Sequence, residues 1–101
     1  MTHRNRKLLD LAHEAPCMIQ IACGGFHYKE GEIVACHSDM LEDGRGIGHK
    51  SHDCLAVPGC RHCHLIFTRE HLGKVGYAEA HYKAMKRYEI WKWENEKIRL
   101  N

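Results

Sequence analysis

No stretch of this chain approaches the run of about 18 apolar residues that a membrane-spanning helix needs. The opening segment, MTHRNRKLLDLAHEAPC, has basic residues but neither a long apolar stretch nor a small-residue cleavage site, so no secretory leader is expected. A dominant charge is missing too. Fifteen Lys and Arg against 13 Asp and Glu leave a net charge of +2, so bulk charge points to no polyanionic partner. Internal repeats are absent. At 101 residues the chain is read as one domain, residues 1–101, too short to be comfortable on its own hydrophobic burial. It is not a disordered tail, because two Trp, four Tyr and two Phe are available for a core.

What is abundant is Cys and His, at 6 and 10 residues. Without an export signal the thiols are expected to stay reduced, which disfavours a disulfide framework. Cys and His together in a reducing compartment point to metal, and zinc is the usual staple of a small intracellular domain.

Residues 1–5 are read as frayed or disordered. Arg6 to His13 reads as a short helix that Pro16 stops. Glu32 to His37 reads as a strand, and a Gly-rich polar loop over 38–52 is long enough to be either functional or mobile. Leu55-Ala56-Val57 reads as a second strand ended by Pro58-Gly59. A helix opens at Cys60 and runs to about Glu70, and Gly73 and Gly76 separate it from a final helix over about 77–97. There Tyr77, His81, Ala84, Tyr88 and Trp91 recur at helical spacing as a core stripe, so Trp91 and Trp93 cannot both face the core. The fold class is α+β: a small zinc-bound domain with a short N-terminal helix and a long C-terminal one.

Cys60-x2-Cys63 is a zinc-knuckle spacing that lets two thiolates face one ion. It needs a second pair, and Cys17 and Cys23 are the best candidates, because they bracket a segment that can fold back. Cys36 and Cys54 remain alternative ligands. A closed four-Cys site is structural and has no open coordination position.

Three other residues suit chemistry. His37 ends the first strand, Asp53 stands at the start of the second, and His64 follows the knuckle. Gathered around one cleft, they would suit a divalent cation and an activated water, with a neutral His taking the proton during phosphodiester hydrolysis. The plainer readings are a helix-capping or zinc-ligating His64, a strand-end His37 and a turn Asp53. His49, His52, His62 and His71 are read as surface residues.

The ordered combination VACHSD, GRGIGHKSHD and LAVPGCRHCH over Val34 to His64 resembles the HNH, or ββα-metal, nuclease module. More closely, it is similar to the YbcO-like family of small phage and prophage nucleases. Gly-Tyr-Ala at 76–78 and the Trp-containing last helix also look alike, so the likeness spans about residues 7–98. It implies a ββα core over about 32–70, with His37 as general base and Asp53 near the place of the motif's central Asn. It further implies His64 as a ligand of the catalytic cation, and Cys17, Cys23, Cys60 and Cys63 as the structural zinc site.

Two positions depart from the family pattern. Cys36 stands where many members have a His or Asp ligand, and Thr68 stands where many have a second one. A catalytic Mg²⁺, Mn²⁺ or Zn²⁺ would then rest on His64 with help from Cys36, Asp53 or water, and Cys36 would favour zinc.

The implied partner is nucleic acid, expected to be DNA. Arg45, Lys50, Arg61, Arg69, Lys83, Lys86 and Arg87 are the phosphate-contact candidates. No membrane partner is expected, the protein is a monomer or a homodimer, and the expected location is the cytoplasm of a bacterial host. Two rival readings are a zinc-stabilised DNA-binding or recombination accessory protein that does not cut, and a protein–protein adaptor using a Trp-bearing helix.

Overall fold

A computed structural model of the chain describes residues 4–23, 32–38 and 52–95. Helix α1 spans Arg6–Ala12. Asn5, in extended backbone, caps it by accepting hydrogen bonds from the Lys7 and Leu8 N–H groups. These are two of the donors that a helix start leaves without partners. Arg4 and Asn5, within the stretch read as frayed, are also tied to Asp53, 48 or more residues away. Residues 1–3 lie outside the described residues.

Strand β1 is Ile33–Cys36 and strand β2 is Val57–Cys60. They pair antiparallel, with Ile33 opposite Cys60 and Cys36 opposite Val57. His13, just past α1, donates from Nδ1 to the Ile33 carbonyl at 2.7 Å and fixes that helix to the sheet. Asp53–Leu55 forms a single 3-10 turn ahead of β2.

The second strand lies further along the chain than its sequence suggests. Pro58 and Gly59 do not end it; they form its middle. A two-stranded sheet has open edges, where a missing Pro N–H is tolerated. The Pro58 carbonyl accepts instead from the Met18 N–H at 2.9 Å. Gly59 permits a close approach. A Cβ there would stand 2.5 Å from Ile19 Cδ1 and 2.8 Å from Cys36 Sγ, both on fully buried side chains. Gly59→Ala is accordingly expected to lower stability by roughly 1–3 kcal/mol through overpacking, read as a lower urea midpoint with an unchanged slope.

Helix α2 spans Arg61–Ile66 and starts directly from β2, with Cys60 as its cap. It ends earlier than expected. Phe67 leaves the helical region, and Thr68 caps helix α3, Arg69–Glu94, by accepting from the His71 N–H. Gly73 kinks α3 at φ 75° and ψ 164°, a conformation almost confined to glycine. Gly76, expected to lie between helices, sits within α3.

The core gathers where α3 meets the sheet and the irregular segment 16–23. Met18 and Ile19 from that segment are buried against Ile33, Val57, Phe67 and Tyr77. Tyr77, His81, Ala84 and Tyr88 are buried along one face of α3, as their spacing predicts. Phe67 stacks on Tyr77 with ring centroids 4.5 Å apart. Trp91 packs against this core, whereas Trp93 is half exposed. The result is a small α+β fold of two strands and three helices among the described residues.

Candidate metal centre and the His37–Asp53 pair

Pro16 and the left-handed residue Gln20 (φ 56°) shape the segment that carries Cys17 and Cys23. The Gln20 side chain donates from Nε2 to the Cys17 carbonyl at 3.2 Å. One Arg87 nitrogen donates to the Met18 and Ile19 carbonyls, at 2.9 and 3.2 Å. The segment is thus strapped to β2 on one side and to α3 on the other. From below, the end of β2 supplies Cys60 and the first turn of α2 supplies Cys63.

The four Sγ atoms of Cys17, Cys23, Cys60 and Cys63 lie within 4.8 Å of one another. Those of Cys23 and Cys63 are 3.7 Å apart. A tetrahedral ion with metal–sulfur bonds of about 2.3 Å has sulfur–sulfur edges of about 3.8 Å. The group could therefore hold a metal ion, and this single geometric fit recovers all four cysteines expected from spacing.

Of the four sulfurs, that of Cys63 is the one whose surroundings favour the thiolate. The Ala22 N–H donates to Cys63 Sγ at 3.4 Å, and the Cys63 N–H donates to Cys60 Sγ at 3.5 Å. Burial pushes the Cys17 thiol up to about 12 and raises Cys60 as well. Burial also works to raise Cys63, but the Ala22 and Cys23 N–H groups and the Cys60 and Cys17 thiols outweigh it and hold that thiol near 7. A bound cation reverses the cost of burial, since coordinating thiols are deprotonated outright.

Cys36 was expected beside a catalytic cation. Its thiol instead lies in the core, next to Ile19 and the Gly59 backbone, and donates at 3.7 Å to the Val34 carbonyl. Adjacent strand residues face opposite ways, so Cys36 and His37 diverge. Burial raises the Cys36 thiol far above its ordinary range, which suits an uncharged core residue. Cys54 is exposed and belongs to no ligand group among the described residues.

On the other side of the sheet end, His37 and Asp53 meet. Asp53 Oδ1 accepts from His37 Nε2 at 2.9 Å and from Arg4 Nη1 at 3.0 Å. Its Oδ2 accepts from the Asn5 N–H at 2.6 Å. The Asp53 side chain is only 4% exposed. Burial alone would raise its carboxyl, but the hydrogen bonds from His37, the Asn5 N–H and Arg4 prevail and lower it to about 2. An ionised carboxylate only accepts hydrogen bonds. The proton of neutral His37 is therefore on Nε2, and Nδ1 carries the basic lone pair.

Helix α3 buttresses both members of the pair. The Tyr77 hydroxyl donates to the His37 carbonyl at 3.5 Å, and His81 Nε2 donates to the Leu55 carbonyl of the Asp53 turn at 2.8 Å. Arg4, Asn5, Tyr77 and His81 are contributors that sequence reasoning did not assign. The available signal was the pair of polar tips inside an otherwise core stripe, since buried polar atoms require partners.

His64 is exposed on α2. Among the described residues, the four cysteines are the sole group of three or more His, Cys, Asp or Glu placed to hold a metal. The expected catalytic-cation site of His64 and Cys36 is not assembled from them. Of the expected phosphate contacts, Arg61 and Arg69 are exposed. Lys83 bridges Glu79 at 2.9 Å, and Lys86 lies over the Tyr82 ring. Arg87 is half buried, and one of its nitrogens donates to the Met18 and Ile19 carbonyls of the segment that carries Cys17 and Cys23. Arg45 and Lys50 lie outside the described residues, as does most of the Gly-rich loop.

Asp53 makes stability acid-sensitive. Because its folded value is depressed, its contribution is complete above the ordinary 3.8 and is lost as pH falls toward about 2. The stability gap between wild type and Asp53→Asn is expected to be roughly 2 kcal/mol at neutral pH and to close across that acid window. Denaturant titrations at several pH values read it directly, and a gap that stays constant down to pH of about 2 would contradict this role.

Comparison with protein families, curated proteins and solved structures returns no match for this chain. No helix among the described residues is long and apolar enough to cross a membrane.

Proposed function

We propose that this protein is a metal-dependent endonuclease of the HNH type, of phage or prophage origin, which hydrolyses DNA phosphodiester bonds. The four-Cys site is its structural staple, and we assign it zinc, a redox-inert ion that accepts four thiolates tetrahedrally. The observation that carries the reading is the His37–Asp53 hydrogen bond at 2.9 Å. A buried carboxylate fixes the tautomer and orientation of a strand-end imidazole, as a general base requires. His37 Nδ1 takes the proton of the attacking water, and Asp53 stabilises the imidazolium that results. Sequence order supports the reading as well, because His37, Asp53 and His64 stand where the HNH resemblance expects its base, central residue and final His.

A second reading draws on Asp53 itself. Its contacts to Arg4 and the Asn5 N–H make it a lock for the N-terminal segment. A zinc-stapled protein that binds DNA without cutting it would keep that lock. Duplex DNA, single-stranded DNA and RNA oligonucleotides incubated with zinc-loaded protein in Mg²⁺ or Mn²⁺ separate the two. Cleavage products from duplex DNA support the nuclease, whereas salt-sensitive binding without products supports the binding protein.

A further inference from the structure

The outer face of α3 carries a pattern unrelated to the metal centre and the His37–Asp53 pair. Tyr82, Lys86, Glu89 and Trp93 follow one another at steps of four, three and four residues. On a 3.6-residue helix that spacing forms one straight stripe. It lies opposite the buried stripe of Tyr77, His81, Ala84 and Tyr88. Tyr82 is 64% exposed, Ile90 58% and Trp93 50%. A groove of about 330 Å³ lies at the stripe's centre, lined by Met85, Lys86, Glu89 and Ile90.

The order of this stripe reads the same in chemical type from either end: aromatic, charged, charged, aromatic, with the two inner charges of opposite sign. We propose that this face is the interface of a homodimer in which two α3 helices pair antiparallel across a two-fold axis. In that register Tyr82 meets the partner's Trp93, and Lys86 meets the partner's Glu89. Within the groove, Met85 meets the partner's Ile90. Each contact occurs twice, as a two-fold interface demands.

The local geometry accommodates the pairing. Lys86 already lies over the Tyr82 ring, 5.1 Å from its centroid. Glu89 binds Lys92 on its own helix through Oε1 at 2.6 Å, and a carboxylate can accept from a second cation as well. The opposite register, parallel, would set Lys86 against the partner's Lys86 and Glu89 against the partner's Glu89. The stripe spans about 16 Å of helix, a contact at the small end of specific interfaces, so the dimer is concentration-dependent. Tyr77 and His81, which donate to the His37 and Leu55 carbonyls, lie on the buried face of α3, away from the proposed interface.

Sedimentation equilibrium of the metal-loaded full chain over a wide concentration range tests the proposal. Wild type is expected to rise from 11.7 kDa toward twice that mass. Lys86→Glu should weaken dimerisation by about tenfold or more, since it sets like charges opposite each other twice. Adding Glu89→Lys to the same chain restores the opposite-charge pairs and should bring the dimer back to within about threefold of wild type. Far-UV circular dichroism checks that each variant is folded, which is expected because these positions are exposed. A chain that stays monomeric at every concentration overturns the proposal. So does a dimer that ignores Lys86→Glu, or a double variant that remains as weak as the single one.

Discussion

Stripping the metal is expected to abolish cooperative folding. Binding energy in a four-Cys site is folding energy, on the order of 10 kcal/mol or more for structural zinc at neutral pH. A domain of this size is stable by about 5–15 kcal/mol in total. The consequence reaches past the thiols. Segment 16–23 has no regular secondary structure, yet it places Met18 and Ile19 in the core. Its ties to the rest of the fold include a backbone hydrogen bond to Pro58, the Ala22 N–H bond to Cys63 Sγ and the Arg87 contacts. Without the ion, four thiols that burial and mutual proximity disturb are left in one small volume. Chelation under reducing conditions should remove the near-ultraviolet dichroism and the sharp urea transition, and added Zn²⁺ should restore both. Cys63→Ser should behave like the chelated protein. A cooperative transition that survives complete metal removal would refute the structural role.

Replacing His37 by Ala is expected to lower DNA cleavage by about 10²–10⁴-fold, the usual contribution of a positioned general base. The corresponding barrier is about 3–5 kcal/mol. Stability should fall far less. His37 is one of three partners of Asp53, and the bonds from Arg4 and the Asn5 N–H remain in the variant. The loss should appear in the cleavage rate rather than in DNA affinity, because the phosphate contacts that hold DNA are separate from the base. Equal losses in rate and affinity would instead mark His37 as a binding residue.

The four-Cys cluster was the most legible part of the sequence, because two cysteines with two residues between them are a recurrent metal-ligand spacing. The wider Cys17–Cys23 spacing was readable only as the best available partner. Its closure depends on a left-handed Gln20 and on Arg87, 67 positions further along. Arg87 was legible only as a phosphate-contact candidate, because its place on α3 does not reveal which carbonyls it reaches. Pro58 and Gly59 were misplaced for a related reason. They are strong turn signals, and only the approach of Ile19 and Cys36 shows why glycine stands inside a strand. The core stripe of α3 was readable from periodicity, but not the tasks of Tyr77 and His81, whose partners are backbone carbonyls of distant segments. Asp53 was visible as a candidate, while its bonds to Arg4 and Asn5 join segments 48 or more residues apart and leave no local pattern.

The nuclease assignment is tested most directly by plasmid nicking. Zinc-loaded wild type and His37→Ala, matched in their unfolding transitions, would be incubated with supercoiled DNA in Mg²⁺, Mn²⁺ or Ni²⁺. The expected result is conversion to open circles by wild type and almost none by the variant. Equal conversion by both proteins, or none by either while both bind the plasmid, would contradict the assignment of His37 as the base of a DNA endonuclease.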